Sequence, residues 1–410
     1  MRILHINTFD HAGGAARAAY WLHSGLRKAG HESLMLVQHK TGGEPAIVNK
    51  PGRSEMLLKD IRWLFDMLPL LVYRKRDLTH WTVGWPRNSL CGLINKLSPD
   101  IIHLHWICRG MMPIREIGRL FSLGPPVVWT FHDSWPFTGG CHVPGSCRQY
   151  KERCGNCPQL GSSSSLDLSR LTLAHKRRQW RKGTPVLVTP SQWLANCVQA
   201  SSLFAHHRIV HLANGIDTDI FQPVEKHLAR SILNIPETGK KLILCGAMNA
   251  YGDPNKGFHL FRESIKRLIT LGWQQKVELL IFGESEPPPE HRLPLPTRYL
   301  GVLHDDVTLR LAYSAADLFI MPSLQENLPN SILESLACRT PVAAFAAGGI
   351  PELLQHSENG FLAQPFNVND LAQGIIHLLS ATPIPRLTDQ FTQQYAVKEH
   401  QALYHEMLQQ

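Results

Sequence analysis

A chain of 410 residues with 43% hydrophobic content, and with 30 Gly and 28 Pro scattered rather than clustered, has the length for two α/β domains and a composition that excludes disorder. No apolar run reaches the roughly 18 to 20 residues that span a bilayer, and Met1 leads straight into a strand without a signal-peptide pattern, so a cytoplasmic location is expected. The formal charge of +9 implies an anionic partner; the basic residues do not interleave with aromatics as in a nucleic-acid module, so a phosphorylated substrate or an anionic lipid face is expected and nucleic acid is not.

Residues 2–7, RILHIN, read as a buried strand, followed by a glycine turn at Gly13-Gly14 that opens an amphipathic helix and then a strand at 32–38. The two glycines lack the spacing of a dinucleotide fingerprint, so a redox Rossmann site is not expected. Residues 56–76 combine apolar side chains with a basic end; the expectation is a surface helix with its apolar face in the core, interrupted at Pro69, and the alternative is an interfacial membrane helix. Strands follow at 100–106 and 127–131, the second running into His132-Asp133. A histidine at a strand's carboxyl end is placed for chemistry, with Asp133 as its orienter, whereas His103 and His105 alternate with apolar residues and read as core or supporting groups.

A cysteine-rich insert at 139–160 comes next, with Cys141, Cys147, Cys154 and Cys157 inside seventeen positions. In a reducing compartment such a cluster binds metal more often than it forms disulfides, and Cys154-x2-Cys157 is a zinc half-site, although the five residues between Cys141 and Cys147 exceed the usual spacing. A zinc held by four thiolates is structural, since no coordination position is left open. Cys91, Cys108, Cys197, Cys245 and Cys338 stand alone and read as small buried hydrophobes. Residues 162–183 form a polar loop and a basic helix, by default a solvated face, alternatively a patch for membrane or acceptor phosphate.

Strands at 186–189 and 208–212 precede a crossing segment, ANGIDTDIFQP, after which the strand-helix rhythm restarts with strands at 241–246, 277–282 and 298–303. Residues 317–323 and 341–347 are two apolar strands joined by a helix whose Ile332, Leu333, Leu336 and Ala337 share a face. In such a parallel unit the loops 324–329 and 348–350 open on one edge, the edge at which α/β sheets bind ligands. Glu326 lies in the first loop and Glu334 about two turns deeper. Gly348 and Gly349 offer bare N–H groups at the start of a helix expected at 351–355, where a phosphate is favoured, and Lys256, between a loop and a helix, is placed to meet phosphate oxygens. Carboxylates for hydroxyls beside a phosphate cradle suit a sugar nucleotide.

The Glu326-x7-Glu334 pair followed by GGIPE resembles the donor-binding signature of retaining glycosyltransferases of family 4, and the likeness extends along almost the whole chain. The cysteine insert after His132-Asp133 is similar to the subgroup that serves colanic acid and exopolysaccharide biosynthesis. The resemblance implies an α/β GT-B fold, two Rossmann-like domains facing across a cleft: 1–215 for the acceptor, 216–386 for the donor, and a terminal helix at 387–410 returning to the first. It implies that His132 and Glu326 are catalytic and face the donor sugar, that Glu334 holds the ribose, and that the backbone of Leu328, Pro329, Asn330, Ser331 and Gly349 meets the sugar or diphosphate. Gly13, Gly14 and Arg17 fall near the donor phosphates, Lys256 neutralises them, and Gly283 and Glu284 border the base. The family usually carries an arginine shortly before that lysine, where this chain has Ala247, Met248 and Asn249.

The reaction so implied moves a hexosyl group, with retention, from a nucleoside diphosphate sugar, UDP or GDP, to a glycan or polyprenyl-linked acceptor in bacterial surface polysaccharide synthesis, with peripheral association at the inner, anionic membrane face. No catalytic cofactor is expected, because no Asp-x-Asp dyad stands at a strand end; the zinc is structural. A sugar-nucleotide epimerase of the same architecture, or a non-catalytic zinc-containing scaffold with a decayed donor site, is the alternative.

Overall fold

The computed structural model describes residues 1–50, 53–77, 79–246, 251–287, 292–303 and 305–409, the side chains of 53–57, 59 and 60 apart. The chain divides into two compact units, Met1–Gly215 with Gln393–Gln410, and Ile216–Thr392. Among the described residues no helix is long and apolar enough to cross a membrane.

In the first unit, strands β1 (Arg2–Phe9), β2 (Glu32–His39), β3 (Ile47–Asn49), β4 (Ile101–Leu104), β5 (Val127–Thr130), β6 (Val186–Thr189) and β7 (Ile209–His211) form a sheet in the order β3-β2-β1-β4-β5-β6-β7. Every pairing in it is parallel. Helices α1 (Gly14–Lys28), α2 (Arg53–Met67), α3 (Cys91–Leu97), α4 (Ile114–Leu120), α5 (Leu168–Trp180) and α6 (Gln192–Gln199) connect the strands. β4, β5 and β6 are buried at every residue, as a parallel strand covered on both faces must be. Trp129 on β5 packs edge-on against Phe131, Trp180 and Phe204, and these rings centre the main core of the unit.

The second unit comprises α7 (Lys226–Ile232), β8 (Lys241–Gly246), α8 (Phe258–Thr270), β9 (Val277–Phe282), β10 (Thr297–Tyr299), α9 (Asp306–Ala315), β11 (Leu318–Met321), α10 (Asn330–Ala337), β12 (Val342–Phe345), β13 (Gly360–Ala363) and α11 (Val368–Ala381). Its parallel sheet runs β10-β9-β8-β11-β12-β13, so the strand order reverses between β8 and β11. Ile243, Leu279, Leu318, Ile320 and Phe345 on the strands meet Phe261, Ile265, Leu268, Leu371 and Ile375 on α8 and α11.

The segment at 56–76 departs from the expected core packing. Pro69 does end the helix, α2 giving way to a 3-10 turn at Leu68–Val72. Among the described side chains of α2, however, those buried are polar: Asp66 accepts from the backbone N–H groups of Val83, Gly84 and Trp85, and Arg62 is buried against Gly110, while Met67 and, beyond the helix, Leu70 and Tyr73 join an apolar cluster. The apolar side is left outside, with Phe65 58% and Val72 80% exposed and Trp63, Leu64, Leu68 and Leu71 beside them. The basic helix α5 also differs from a purely solvated face, because Lys176 is turned fully inward while Arg177 and Arg178 are exposed.

The last helix, α12 (Gln393–Gln409), packs on α1 in the first unit. Gly25 permits the approach, since a Cβ there would collide with Val397 and Gln393. Buried Tyr404 hydrogen-bonds His103 Nδ1 at 2.6 Å, tying α12 to the centre of the sheet. Tyr404→Phe leaves that imidazole nitrogen buried without its hydroxyl, and the expected cost is about 1–3 kcal/mol of unfolding free energy. Chemical denaturation checks this; an unchanged midpoint would show that the bond contributes nothing to holding α12.

Candidate active site

β8 and β11 are neighbours, so the loops leaving their carboxyl ends start side by side at the point where strand order reverses, the usual ligand edge of an open α/β sheet. The loop after β8 ends in a 3-10 turn, Pro254–Lys256, and Gly257 follows at φ +66°. A Cβ on Gly257 would overlap the carbonyl of Pro322, so only glycine lets this turn sit against the end of β11. Asn255 then stitches the loops together: its carbonyl accepts from Leu324 N–H and its side-chain amide donates to the Gln325 carbonyl, both at 2.8 Å. The outcome is an ion pair, Lys256 Nζ to Glu326 Oε1 at 2.8 Å, in which the Glu326 carboxylate holds the lysine above its ordinary pKa against the opposing effect of burial.

The remaining residues singled out on this side fall around that pair. Leu328 is buried, Pro329 precedes α10, and Asn330 and Ser331 open it, where N–H groups have no acceptor within the helix. Glu334, one face further along α10, is 2% exposed, and its Oε2 accepts from the Tyr313 hydroxyl at 2.9 Å. Gly283 closes β9 at φ +85° with its N–H donated to the Gly301 carbonyl, and Glu284 accepts from Tyr251 N–H. Ala247, Met248 and Asn249, where the family's arginine is missing, lie outside the described residues.

Two expectations here are corrected. No helix occupies 351–355: Ile350–Glu352 is a single 3-10 turn, which carries little of a helix dipole. Nor is the Gly349 N–H bare, for it donates to the Glu326 carbonyl at 2.9 Å. The cause is Gly348, at φ +62°, which brings the glycine pair so close to Glu326 that a Cβ would overlap that carbonyl. The glycines therefore fix the backbone of Glu326.

In the first unit, Gly13 caps α1 at φ +90° with open space around it, Gly14 begins the helix, and Arg17 stacks on Trp21. His132 follows β5 and lines a small cavity of about 20 Å³ with His105, Thr130, Asn214, Gln393 and His400. Asp133 does not orient it. That carboxylate accepts from His142 Nδ1 at 2.6 Å, Trp106 Nε1 at 2.7 Å and Trp135 N–H at 2.8 Å. Burial opposes its ionisation, but His142 and these donors hold it below the usual carboxylate range.

His132 is oriented instead by histidines of the neighbouring strands. Register places His5 on β1 opposite His103 on β4. His5 Nδ1 meets His105 Nε2 at 3.0 Å and His105 Nδ1 meets His132 Nε2 at 3.1 Å, while His103 is held between Thr130 Oγ1 at 2.7 Å and Tyr404. Each neutral ring donates at one nitrogen and accepts at the other, so the bonds form a directed row. Burial lowers His5, His103 and His105 well below the ordinary value, and His132 and His400 to about 4. Ligand atoms of His5, His103 and His105 lie within 4.8 Å of one another; His5 Nδ1, His105 Nε2 and both nitrogens of His103 are engaged in the hydrogen bonds of this ladder, while His5 Nε2 is buried without one. Sequence reading missed the row because it depends on strand register, and missed Tyr313 because helices α9 and α10 had to be packed first.

Cys141, Cys147, Cys154 and Cys157 line one cavity. All four are free thiols, and burial pushes those of Cys141, Cys154 and Cys157 up.

Residues 12–220 match the sequence model of Glycosyltransferase Family 4, and residues 239–381 match that of the Glycosyl transferases group 1. The chain belongs to glycosyltransferase family 4. It is a glycosyltransferase, against the epimerase and scaffold alternatives. The putative colanic acid biosynthesis glycosyl transferase WcaC of Escherichia coli is 27% identical over 372 residues, 87% of this chain and 86% of that protein. The fold is that of solved GT-B enzymes, two Rossmann-like parallel sheets. Sucrose-phosphate synthase from Thermosynechococcus elongatus superposes with a TM-score of 0.67 over 100% of both chains at 16% identity. Anabaena Alr3699/HepE, in complex with UDP and glucose, superposes with 0.61 over 99% of this chain and 100% of that one, also at 16% identity.

The histidine ladder of this glycosyltransferase makes its first unit acid-labile. A histidine whose folded pKa lies below its unfolded value takes up its proton on unfolding, so its contribution is intact above about pH 6.5 and declines as pH falls toward the folded value. Each of the buried His5, His103, His105 and His400 is expected to remove about 1 kcal/mol of stability between pH 7 and 5.5. Thermal melts across that range test this, and a flat melting temperature would refute it.

Proposed function

We propose that this glycosyltransferase moves a hexosyl group from a nucleoside diphosphate sugar, UDP or GDP, to a glycan or lipid-linked acceptor of a bacterial surface polysaccharide, with retention at the anomeric carbon. The observation that carries the reading is the Lys256–Glu326 pair, a cation and a carboxylate held 2.8 Å apart where strand order reverses. Support for the donor class comes from the UDP and glucose bound to Alr3699/HepE, and for the process from the colanic acid relative.

In this reading the ammonium of Lys256 and the first N–H groups of α10 stabilise the diphosphate as the glycosidic bond breaks and charge grows on the leaving oxygen. Glu326 faces the sugar, and its partner Lys256 is handed to the diphosphate when the donor binds. Glu334, fixed by Tyr313, accepts from the ribose, and Gly283 and Glu284 border the base. Gly13 and Gly14 approach the phosphates. His132, kept neutral by burial, meets the sugar as a hydrogen-bonding group rather than as a charge. Arg17 and the loop at 328–331 complete the donor contacts.

Glu326→Ala is expected to lower transfer by at least about 100-fold while the circular dichroism spectrum and melting temperature stay near those of the parent. Full activity in that variant would sink the assignment. The donor itself is read from thermal shifts with UDP, GDP, ADP and dTDP and their sugars: one nucleotide family at about 100 times its Kd should stabilise the fold by about 2.7 kcal/mol, and no shift with any of them would overturn the donor class.

The same reading includes peripheral binding to an anionic membrane. Its support is the outward apolar face of α2 and the 3-10 turn after it, followed directly by Arg74, Lys75 and Arg76. Sedimentation with vesicles containing phosphatidylglycerol should carry the protein down, and Trp63→Glu with Phe65→Glu should reduce that at least about tenfold. Equal sedimentation of the parent and the double variant would remove α2 from the interface.

A further inference from the structure

We propose that Cys141, Cys147, Cys154 and Cys157 bind one zinc ion as a closed four-thiolate structural site, with Lys176 as its buried counter-charge. The inference is independent of the donor reading, and either can fail without the other.

The first observation is convergence. The four cysteines come from two separate turns, and all line one cavity of about 20 Å³, space for a single water-sized body. The approach is enforced by sequence. Gly139 and Gly140 pass so close to Ser169 and Trp81 that neither position has room for a Cβ, which brings Cys141 against the Cys154–Cys157 turn.

The second is the turn itself. Cys154, Gly155 and Asn156 all have positive φ, +56°, +105° and +46°, a conformation that cysteine seldom adopts. It is held from outside, with Gly155 N–H donating to Ser169 Oγ at 2.9 Å and Cys157 N–H to Asp167 Oδ2 at 2.7 Å. Backbone N–H groups are in turn directed at the sulfurs, Gly139 at Cys154, and Gln159 and Leu160 at Cys157.

The third is charge. Lys176 is completely buried; it donates to the carbonyls of Trp135 and Thr138 and sits over the Trp135 ring at 3.9 Å. Among the described residues no carboxylate lies within ion-pair distance of it, and its electrostatic neighbours are the sulfurs of Cys108, Cys141 and Cys154 and the carboxylate of Asp133. Four thiolates around one divalent ion carry a net charge of −2, which answers a buried ammonium. Each thiol releases its proton to solvent as its bond to zinc forms, four protons for one ion. The sulfurs surround the cavity more loosely than the histidine nitrogens cluster, so binding near 2.3 Å, roughly the zinc–sulfur bond length, draws the two turns together.

The test is metal analysis of the full chain purified without chelator from zinc-supplemented cells. The expected result is about one zinc per chain, released by a mercurial that titrates thiols, and lost from Cys154→Ser and Cys157→Ser but kept in Cys338→Ser. Because the serine variants can fail to fold, the parent protein is also loaded with Co²⁺ in place of zinc. Strong absorption from sulfur-to-cobalt charge transfer and tetrahedral ligand-field bands is expected. Zinc well below one per chain, iron in its place, weak octahedral cobalt bands, or a non-reduced mass showing disulfides would each overturn the proposal.

Discussion

Two positions where the backbone leaves no room for a Cβ hold together the loops at the carboxyl edge of the second unit's sheet. Gly257 lies on the carbonyl of Pro322 and Gly348 on that of Glu326, each at positive φ. These contacts seat the loops after β8, β11 and β12 on one another, and the 2.8 Å contact between Lys256 and Glu326 follows from that seating rather than from the attraction of two mobile side chains. A surface ion pair formed by long free side chains contributes little, because ordering them offsets the Coulomb gain. Here the backbone has already fixed both stems, so the two charges stand beside each other with little further ordering of their side chains.

The first unit solves the same positioning problem with neutral groups. His132 stands just beyond the end of β5, and its ring direction is passed to it through His105 from His5 on β1. Burying imidazoles is costly unless their nitrogens are bonded, and the ladder satisfies most of them, with one another, with Thr130 and with Tyr404, His5 Nε2 being left without a partner. α12 thereby enters the arrangement: the hydroxyl it supplies from position 404 holds His103, whose ring packs against His5 and His105 of the row.

What was legible in the sequence followed from periodicity and punctuation. β4, β5, β6, β8, β9, β11 and β12 are apolar runs between turn residues, and the family signature of Glu326, Glu334 and the glycine pair needs no tertiary information. β3 and β13, three and four residues long at sheet edges, carry too little pattern to be seen. The partner of His132 was misread because Asp133 is adjacent in sequence, yet consecutive residues at a strand end point to opposite sides; the neighbour in space comes from β4, one strand over. Likewise, the N–H of Gly349 was counted as available because sequence gives no sign that a carbonyl 23 positions earlier would be folded onto it.

α2 illustrates a different limit. Amphipathic periodicity reports that a helix has two faces, and the usual inference assigns the apolar one to the core. That inference fails when the protein offers the helix something better than hydrocarbon to dock against. The turn at 83–85 presents three backbone N–H groups that need an acceptor, Asp66 supplies it, and leaving those donors buried and unpaired would cost about 1–3 kcal/mol each. The apolar face is then exposed by the same bonds that fix the helix. A contiguous apolar surface beside a basic run is costly in water and is kept where another apolar phase covers it. The polar docking of α2 and the outward display of Trp63, Phe65, Leu68 and Leu71 are thus one structural fact.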